Sequence, residues 1–378
     1  MTIYHLSGEL RGTALREAWI AAGVLHHENP LGRGSKKFSD IGADGTIAGT
    51  AVNLPESVVE INGFIYPGLL DTHTHIGMNH GAAAPSDAQM RQRLEICAKH
   101  GVTAIRDSGG QRNPNEVACI GLPKVIHCGQ HIARRKRYTR YLAVEAEPGD
   151  LLAEVEVQAA KSDGWIKIIG DWIDREQGDL TPLWEADLLQ AAVERAHELG
   201  VKVTVHTFAA ETVPMILAAG ADGIEHGTGM SFAEIEMARE AGIVLTPTVN
   251  QISRFPEFAA AGHRFPVYQK RMLGMNLQRS EHLQMFVDAG IDLLMGSDTA
   301  EDVAERGLWV ELETAVANGM PADTVMAAAS WRGRELLGFD TWGAGAPADF
   351  VVYETDPEQD ITVVSRPKHV FIDGIEIF

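Results

Sequence analysis

The 378-residue chain carries 52 Asp and Glu against 32 Lys and Arg, a formal charge of −20, with 45% hydrophobic residues. That balance supplies a sizeable core and solubility. It argues against nucleic acid or an anionic membrane as partner, since both need clustered basic residues to replace counterions. At about 150 residues per domain, the length fits two or three domains or one large α/β barrel with an appendage.

Residues 1–67 and 339–378 read alike. Short β-like runs such as Val58 to Ile61, Phe350 to Tyr353 and His369 to Ile372 are separated by Gly, Pro and Asp, with little helical periodicity. We expect the two ends to pair into one small β-sandwich domain. Over residues 68–338 apolar segments ending in small or polar residues recur, with candidate strands at Ile65 to Thr74, Val102 to Asp107, Lys124 to Cys128, Trp165 to Gly170, Val201 to Thr207, Gly223 to His226, Ile243 to Pro247 and Ile291 to Ser297. Between them lie amphipathic segments, Trp184 to Leu199, Thr212 to Ala219 and Phe232 to Ala241, each closing on a Gly as a helix C-terminus does. Eight such units predict an α/β fold, a (β/α)8 TIM-like barrel. Glu9 and Arg11 interrupt the first twelve residues, and no run approaches the ~20 apolar residues of a membrane span. Cys97, Cys119 and Cys128 are odd in number and lack CxxC spacing, so a cytoplasmic location is expected.

The strongest local signal is Asp71-Thr72-His73-Thr74-His75. Side chains at i and i+2 of a strand share a side, so His73 and His75 would face the barrel lumen at its C-terminal mouth, where two imidazoles can share one metal. Three further strands end in His206, His226 and Asp298. A lone strand-end His is usually a hydrogen-bonded polar residue, but coincidence at four strand ends points to a zinc-type cation site. Lys167 interrupts the apolar run Trp165-Ile166-Lys167-Ile168-Ile169. A buried ammonium must be paired, neutral or modified, and a neutral amine can capture carbon dioxide as a carbamate able to bridge two metals.

These residues, with the lead-in Tyr66-Pro67-Gly68-Leu69-Leu70, the run Gly101 to Asp107 and the closing Gly345-Ala346-Pro347-Ala348-Asp349-Phe350-Val351-Val352, resemble the amidohydrolase superfamily over essentially the whole chain. Within it the chain looks most like the imidazolonepropionase-related and Xaa-Pro dipeptidase-like branch. The resemblance implies two divalent metal ions of zinc type. His73 and His75 would hold the more buried ion, carbamylated Lys167 would bridge, His206 and His226 would hold the second, and Asp298 would ligate and transfer protons. It further implies hydrolysis of an amide C–N bond in a dipeptide, N-acyl amino acid or cyclic amide. A small-molecule substrate and a homo-oligomer are expected.

Two departures bear on the substrate. Phe208 stands where related peptidases often have Tyr or His, and five cations crowd Arg134-Arg135-Lys136-Arg137-Tyr138-Thr139-Arg140. Arg134, Arg135 and Arg137 would form either a clamp for an anionic substrate group or a solvated loop paired with Glu145 and Glu147. His80 and His131 fall in mouth-side loops where they could touch substrate. The alternatives are a mononuclear cyclic amidohydrolase or deaminase, and a catalytically silent scaffold. Deaminases of the superfamily usually place a Glu three residues after the fifth-strand His, where this chain has Ala209, with Glu211 two further on.

Overall fold

A computed structural model describes residues 2–30, 46–47, 50–51 and 57–377. Parts of the expected N-terminal β region, at positions 1, 31–45, 48–49 and 52–56, lie outside the described residues, as does 378.

The chain folds as a mixed α/β protein. Strands Leu69–Thr74, Val102–Asp107 and Trp165–Ile169 are buried at every residue, which a parallel sheet covered on both faces requires. Lys124–His127, Val102–Asp107 and Leu69–Thr74 pair in parallel in that order. A second parallel run takes Val144–Ala146, Ile132–Arg134, Trp165–Ile169, Lys202–Thr207, Gly223–His226 and Val244–Thr246. The segment expected as a strand at Ile291 to Ser297 forms a single parallel bridge, Leu245 to Leu293, and lies between two neighbours. Leu294 N–H donates to Leu245 O at 2.8 Å on one side, and Thr72 N–H donates to Met295 O at 2.9 Å on the other.

The expected helices form at Ala186–Glu198, Val213–Ala219 and Phe232–Glu240, each followed within two residues by a positive-φ glycine: Gly200, Gly220 and Gly242. Ser231 and Glu234 form a reciprocal capping box on the third. Their apolar faces close the main core against the strands, with Ile166, Ile168, Val203, Val205, Ile224 and Leu245 buried at its centre.

Two features were not expected. The basic stretch is preceded by strand Ile132–Arg134 and followed by strand Val144–Ala146. After Val244–Thr246 come three helices in succession, Val249–Ser253, Phe255–Ala261 and the 24-residue Pro266–Ala289.

At the chain ends, one sheet orders Val24–His26, Ala18–Ala21, Thr2–Leu6 and Ser57–Ile61, and another orders Glu9–Leu10, Phe64–Pro67, Phe350–Tyr353, His369–Ile372 and Ile375–Glu376. Leu6, Ile20 and Leu25 of the first share an apolar cluster with Ile65, Phe350 and Phe371 of the second. The expected strand from Ile65 to Thr74 is thus two. Phe64–Pro67 joins the terminal sheet, and Leu69–Thr74 joins the parallel one. Gly68 between them has no room for a side chain, since a Cβ there would lie 2.0 Å from Thr103 Oγ1. Among the described residues no helix is long and apolar enough to cross a membrane.

Candidate metal centre

His73 closes the buried strand Leu69–Thr74 from its penultimate position, and His75 follows one residue beyond. Pairing of Ile169 with His206 and of Thr207 with His226 brings the next two imidazoles to the same end of the sheet. The last segment adds Asp298, whose N–H donates to His73 O at 2.6 Å. Gly296 is what allows this approach: a Cβ there would lie 2.5 Å from His73 Cβ. One ligand atom from each of His73, His75 and Asp298 falls within 4.8 Å of the others. Asp298 Oδ1 is 3.2 Å from His73 Nε2 and 3.4 Å from His75 Nε2.

The imidazoles are oriented from behind. Nδ1 of His73 meets Glu225 Oε2 at 2.8 Å, Nδ1 of His75 meets Gly109 O at 2.7 Å, and Nδ1 of His226 meets Thr248 Oγ1 at 2.5 Å. With Nδ1 engaged, each ring keeps Nε2 for the centre, the arrangement that metal-ligating histidines show. Nε2 of buried His206 has no hydrogen-bond partner among the described residues. An orphaned buried nitrogen beside three imidazoles and a carboxylate suits a divalent cation, so the donor set fits a metal.

Charges beneath the site are balanced by a buried network. Arg106 donates to Glu225 at 2.6 Å and to Thr72 O at 2.7 Å, and its guanidinium lies 4.9 Å from the centre of the Trp165 ring. Burial would raise the Glu225 carboxyl, but Arg106 and His73 outweigh it and hold the group well below the ordinary range. Burial likewise works against ionised Asp298, and the adjoining imidazoles hold it down. His206 is driven well below its usual value, first by burial and then by His226 and Lys167. Burial takes His226 down to about 3. These two rings are therefore neutral at pH 7, the form that ligates. Lys167, 3% exposed, places Nζ 2.7 Å from His73 Nε2, and burial is the largest cause lowering its pKa.

Backbone strain collects here. His226 (φ 69°), Thr248 (φ 46°) and Asp298 (φ 51°) occupy the left-handed region without being glycine. Each such residue costs on the order of 1–3 kcal/mol, so the surrounding structure must enforce it.

All six expected ligands come together, and a cavity of about 630 Å³ opens above them. His75, Lys167, His206, His226 and Asp298 line it, with His80, His131 and Phe208. His131 is 1% exposed and neither of its ring nitrogens has a partner among the described residues, whereas His80 stands at the mouth, 3.5 Å from Glu301. Phe208 packs its ring edge-on against His206 at 4.4 Å, and its N–H donates to Asp171. Arg134, Arg135 and Arg137 of the basic run are not brought to this cavity. Arg134 donates to Leu183 O, Arg137 donates to Thr181 Oγ1 and pairs with Asp174, Arg135 faces Glu147, and all line a second hollow that adjoins the cavity at Ile173 and Arg175. Tyr138 and Thr139 of the same run do reach the cavity. Glu211 also points away, held by Arg271 at 2.7 Å.

Sequence reasoning missed Glu225, Arg106, Tyr138, Trp172 and the cavity's helical wall of Gln251, Arg254, Phe258 and Arg306. The first two carried a usable signal, a charge inside an apolar strand.

The family model described as the amidohydrolase family matches residues 64–376. Uncharacterized proteins of Mycobacterium tuberculosis (strain ATCC 25618 / H37Rv) and Mycobacterium bovis (strain ATCC BAA-935 / AF2122/97) are each 35% identical over 337 residues, covering 88% of this chain and 90% of theirs. Among solved structures, a Xaa-Pro dipeptidase with bound methionine in its active site superposes with a TM-score of 0.77 at 22% identity, covering 99% of both chains. Ochratoxinase of A. niger gives 0.75 at 18% identity, covering 99% of this chain and 95% of that one.

Proposed function

Since the chain belongs to the amidohydrolase family, we propose that it is a metal-dependent hydrolase that cleaves an amide C–N bond at a binuclear centre. The observation that carries this reading is the convergence of His73, His75 and Asp298 beside the unpartnered Nε2 of His206. His73 and His75 would hold one ion and His206 and His226 the other. Divalent cations there, of zinc type by the ligand chemistry, would supply Lewis-acid polarisation of a carbonyl and acidification of water.

The chain's own residues supply the rest. Asp298 accepts the proton of the attacking water and returns it to the leaving nitrogen. The Arg106–Glu225 pair fixes His73, and Trp172, Phe208 and Tyr138 keep bulk water from the reacting carbonyl. Burial favours the neutral amine of Lys167, the form that attacks carbon dioxide. The N–C bond forms as one C=O π bond of carbon dioxide opens and the nitrogen loses a proton, giving a carbamate whose single negative charge is shared by two oxygens that would be available as ligands. The eight-unit barrel expected from the sequence belongs to this reading, supported by backbone bonds that join residues 245, 292–295 and 72 in turn.

Metal analysis of the purified protein tests it. Two zinc-like ions per chain, with amide hydrolysis that chelation abolishes and zinc restores, are expected. Lys167→Ala should lower the stoichiometry while the chain stays folded. One ion in both forms, with unchanged turnover, overturns the bridged centre. A deaminase is disfavoured by Ala209 and by the capture of Glu211 at Arg271.

A further inference from the structure

Away from the strand ends, the cavity wall holds two guanidiniums that meet on a single neutral atom. Arg254 donates to Gln251 Oε1 at 3.4 Å, and Arg306 donates to the same oxygen at 3.3 Å. Gln251, Arg254 and Arg306 all line the cavity that contains Asp298. Both contacts are longer than the usual 2.7–3.2 Å, so an amide oxygen is a weak occupant of this position. A carboxylate would bring a full charge and two oxygens to the same place.

The pair is built rather than incidental. Arg306 is braced by Asp302 at 2.7 Å, on the same loop as Asp298, and is largely buried. Arg254 lies over the Phe258 ring, 5.8 Å from its centre, and its Nε engages the exposed Glu257 at 3.1 Å. Each arginine therefore has one side anchored and one side turned to Gln251. Gln251 and Arg254 sit three residues apart, at and just beyond the short helix Val249–Ser253. That helix is fixed by buried Glu311, which accepts from Val249 N–H at 2.6 Å and Asn250 N–H at 2.7 Å. Two convergent cations stand out in a chain of net charge −20. The wall also carries Arg175 and Arg264 and an aromatic stretch, with Tyr138 and Trp172 in edge contact at 4.6 Å and Phe208 and Phe258 nearby.

We propose that Arg254 and Arg306 form a carboxylate site and that the amide cleaved here carries a free carboxylate and an apolar group, as an N-acyl amino acid does. The proposal rests on the amide-hydrolase reading for its reacting bond, but anion binding by the pair stands apart from turnover. The carboxylate displaces Gln251 Oε1 and takes both guanidiniums. The apolar group packs on the aromatic wall, and the scissile carbonyl then reaches the strand ends.

The test uses the zinc-loaded protein and two probes that differ only in the carboxylate, N-benzoylphenylalanine and N-benzoylphenethylamine. Affinity is read by calorimetry and cleavage by chromatography. The acid should bind at least about tenfold more tightly than the carboxylate-free amide, a modest return for charge-assisted bonds. The Arg254→Gln/Arg306→Gln double variant should erase that difference and leave affinity for the carboxylate-free amide unchanged. Gln251→Glu places a carboxylate between the guanidiniums, so it should raise the melting temperature and abolish acid preference. A structural role for the arginines alone would not produce that pairing of effects. Equal affinity of the wild-type protein for both probes overturns the proposal, as does acid preference that survives in the double variant and in Gln251→Glu. Arginine-dependent acid binding without cleavage of any amide upholds the site and defeats the hydrolase reading. Cleavage of both probes alike, insensitive to the arginines, does the reverse.

Discussion

The floor and the wall of the cavity are built differently. The floor consists of strand ends: His73, Lys167, His206 and His226 project from buried parallel strands, and Asp71, Arg106 and Glu225 beneath them are 0% exposed. The wall consists of loops and short helices, and its polar side chains, Gln251, Arg254 and Arg306, remain partly accessible. A ladder of backbone bonds fixes the register of the floor. The polar side chains of the wall can change by substitution without disturbing the apolar cluster behind them, which suits a division between chemistry below and substrate choice above.

Substitutions should separate the two regions, and the largest effect belongs to the floor. Asp298→Asn keeps size and one oxygen but takes no proton at neutral pH. Turnover on a cleaved amide should fall by about 10² to 10⁴ with the melting temperature little changed. Retention of more than about a tenth of wild-type turnover would contradict the proton-transfer role.

Next comes the network under the floor. Arg106→Met leaves Glu225 charged, buried and without its guanidinium, which should cost about 3–5 kcal/mol of stability. Urea denaturation should show a lower midpoint at constant slope. A midpoint within error of wild type would mean that Glu225 is carried by His73 and Thr204 alone.

The wall should respond in the opposite sense. Phe258→Ala removes a half-buried ring and the support for Arg254, so KM should rise by up to about tenfold while kcat holds and the melting temperature falls modestly. A fall in kcat with constant KM would tie the wall to the chemical step.

The smallest effect concerns pH. Burial pushes the Glu311 carboxyl from 4.5 up to about 8, against the pull of the two N–H groups it caps. The folded chain then keeps a proton that the unfolded chain loses above 4.5, so this contribution is fully present below that pH and is lost as pH rises through about 8. Glu311→Gln should flatten the decline of melting temperature over that window. Parallel wild-type and variant profiles would show that Glu311 is ionised throughout.

The parts of the site that were legible share one property. A polar residue at the end of an apolar strand, or a lysine inside one, has an energetic cost that demands an explanation, and His73, His75, Lys167, His206, His226 and Asp298 all met that condition. Arg106 and Glu225 met it too and could have been found by the same test. Gln251, Arg254 and Arg306 could not, because polar residues on short helices carry no such cost. The basic run at 134–140 was the loudest compositional signal, yet Arg134, Arg135 and Arg137 do not line the cavity. The hairpin Asp171–Asp174 with Asp179–Pro182, and Leu183 just beyond it, supply the partners that hold Arg134 and Arg137.

By itself, then, the sequence determined the alternation of strands and helices, because hydrophobic periodicity is local, and it singled out the candidate ligands, because buried polarity is costly wherever it occurs. Tertiary structure alone decided which charges face the cavity. That depends on loop paths, on the strained turns at His226, Thr248 and Asp298, and on contacts such as Arg306 to Gln251, 55 residues apart, which no local pattern encodes.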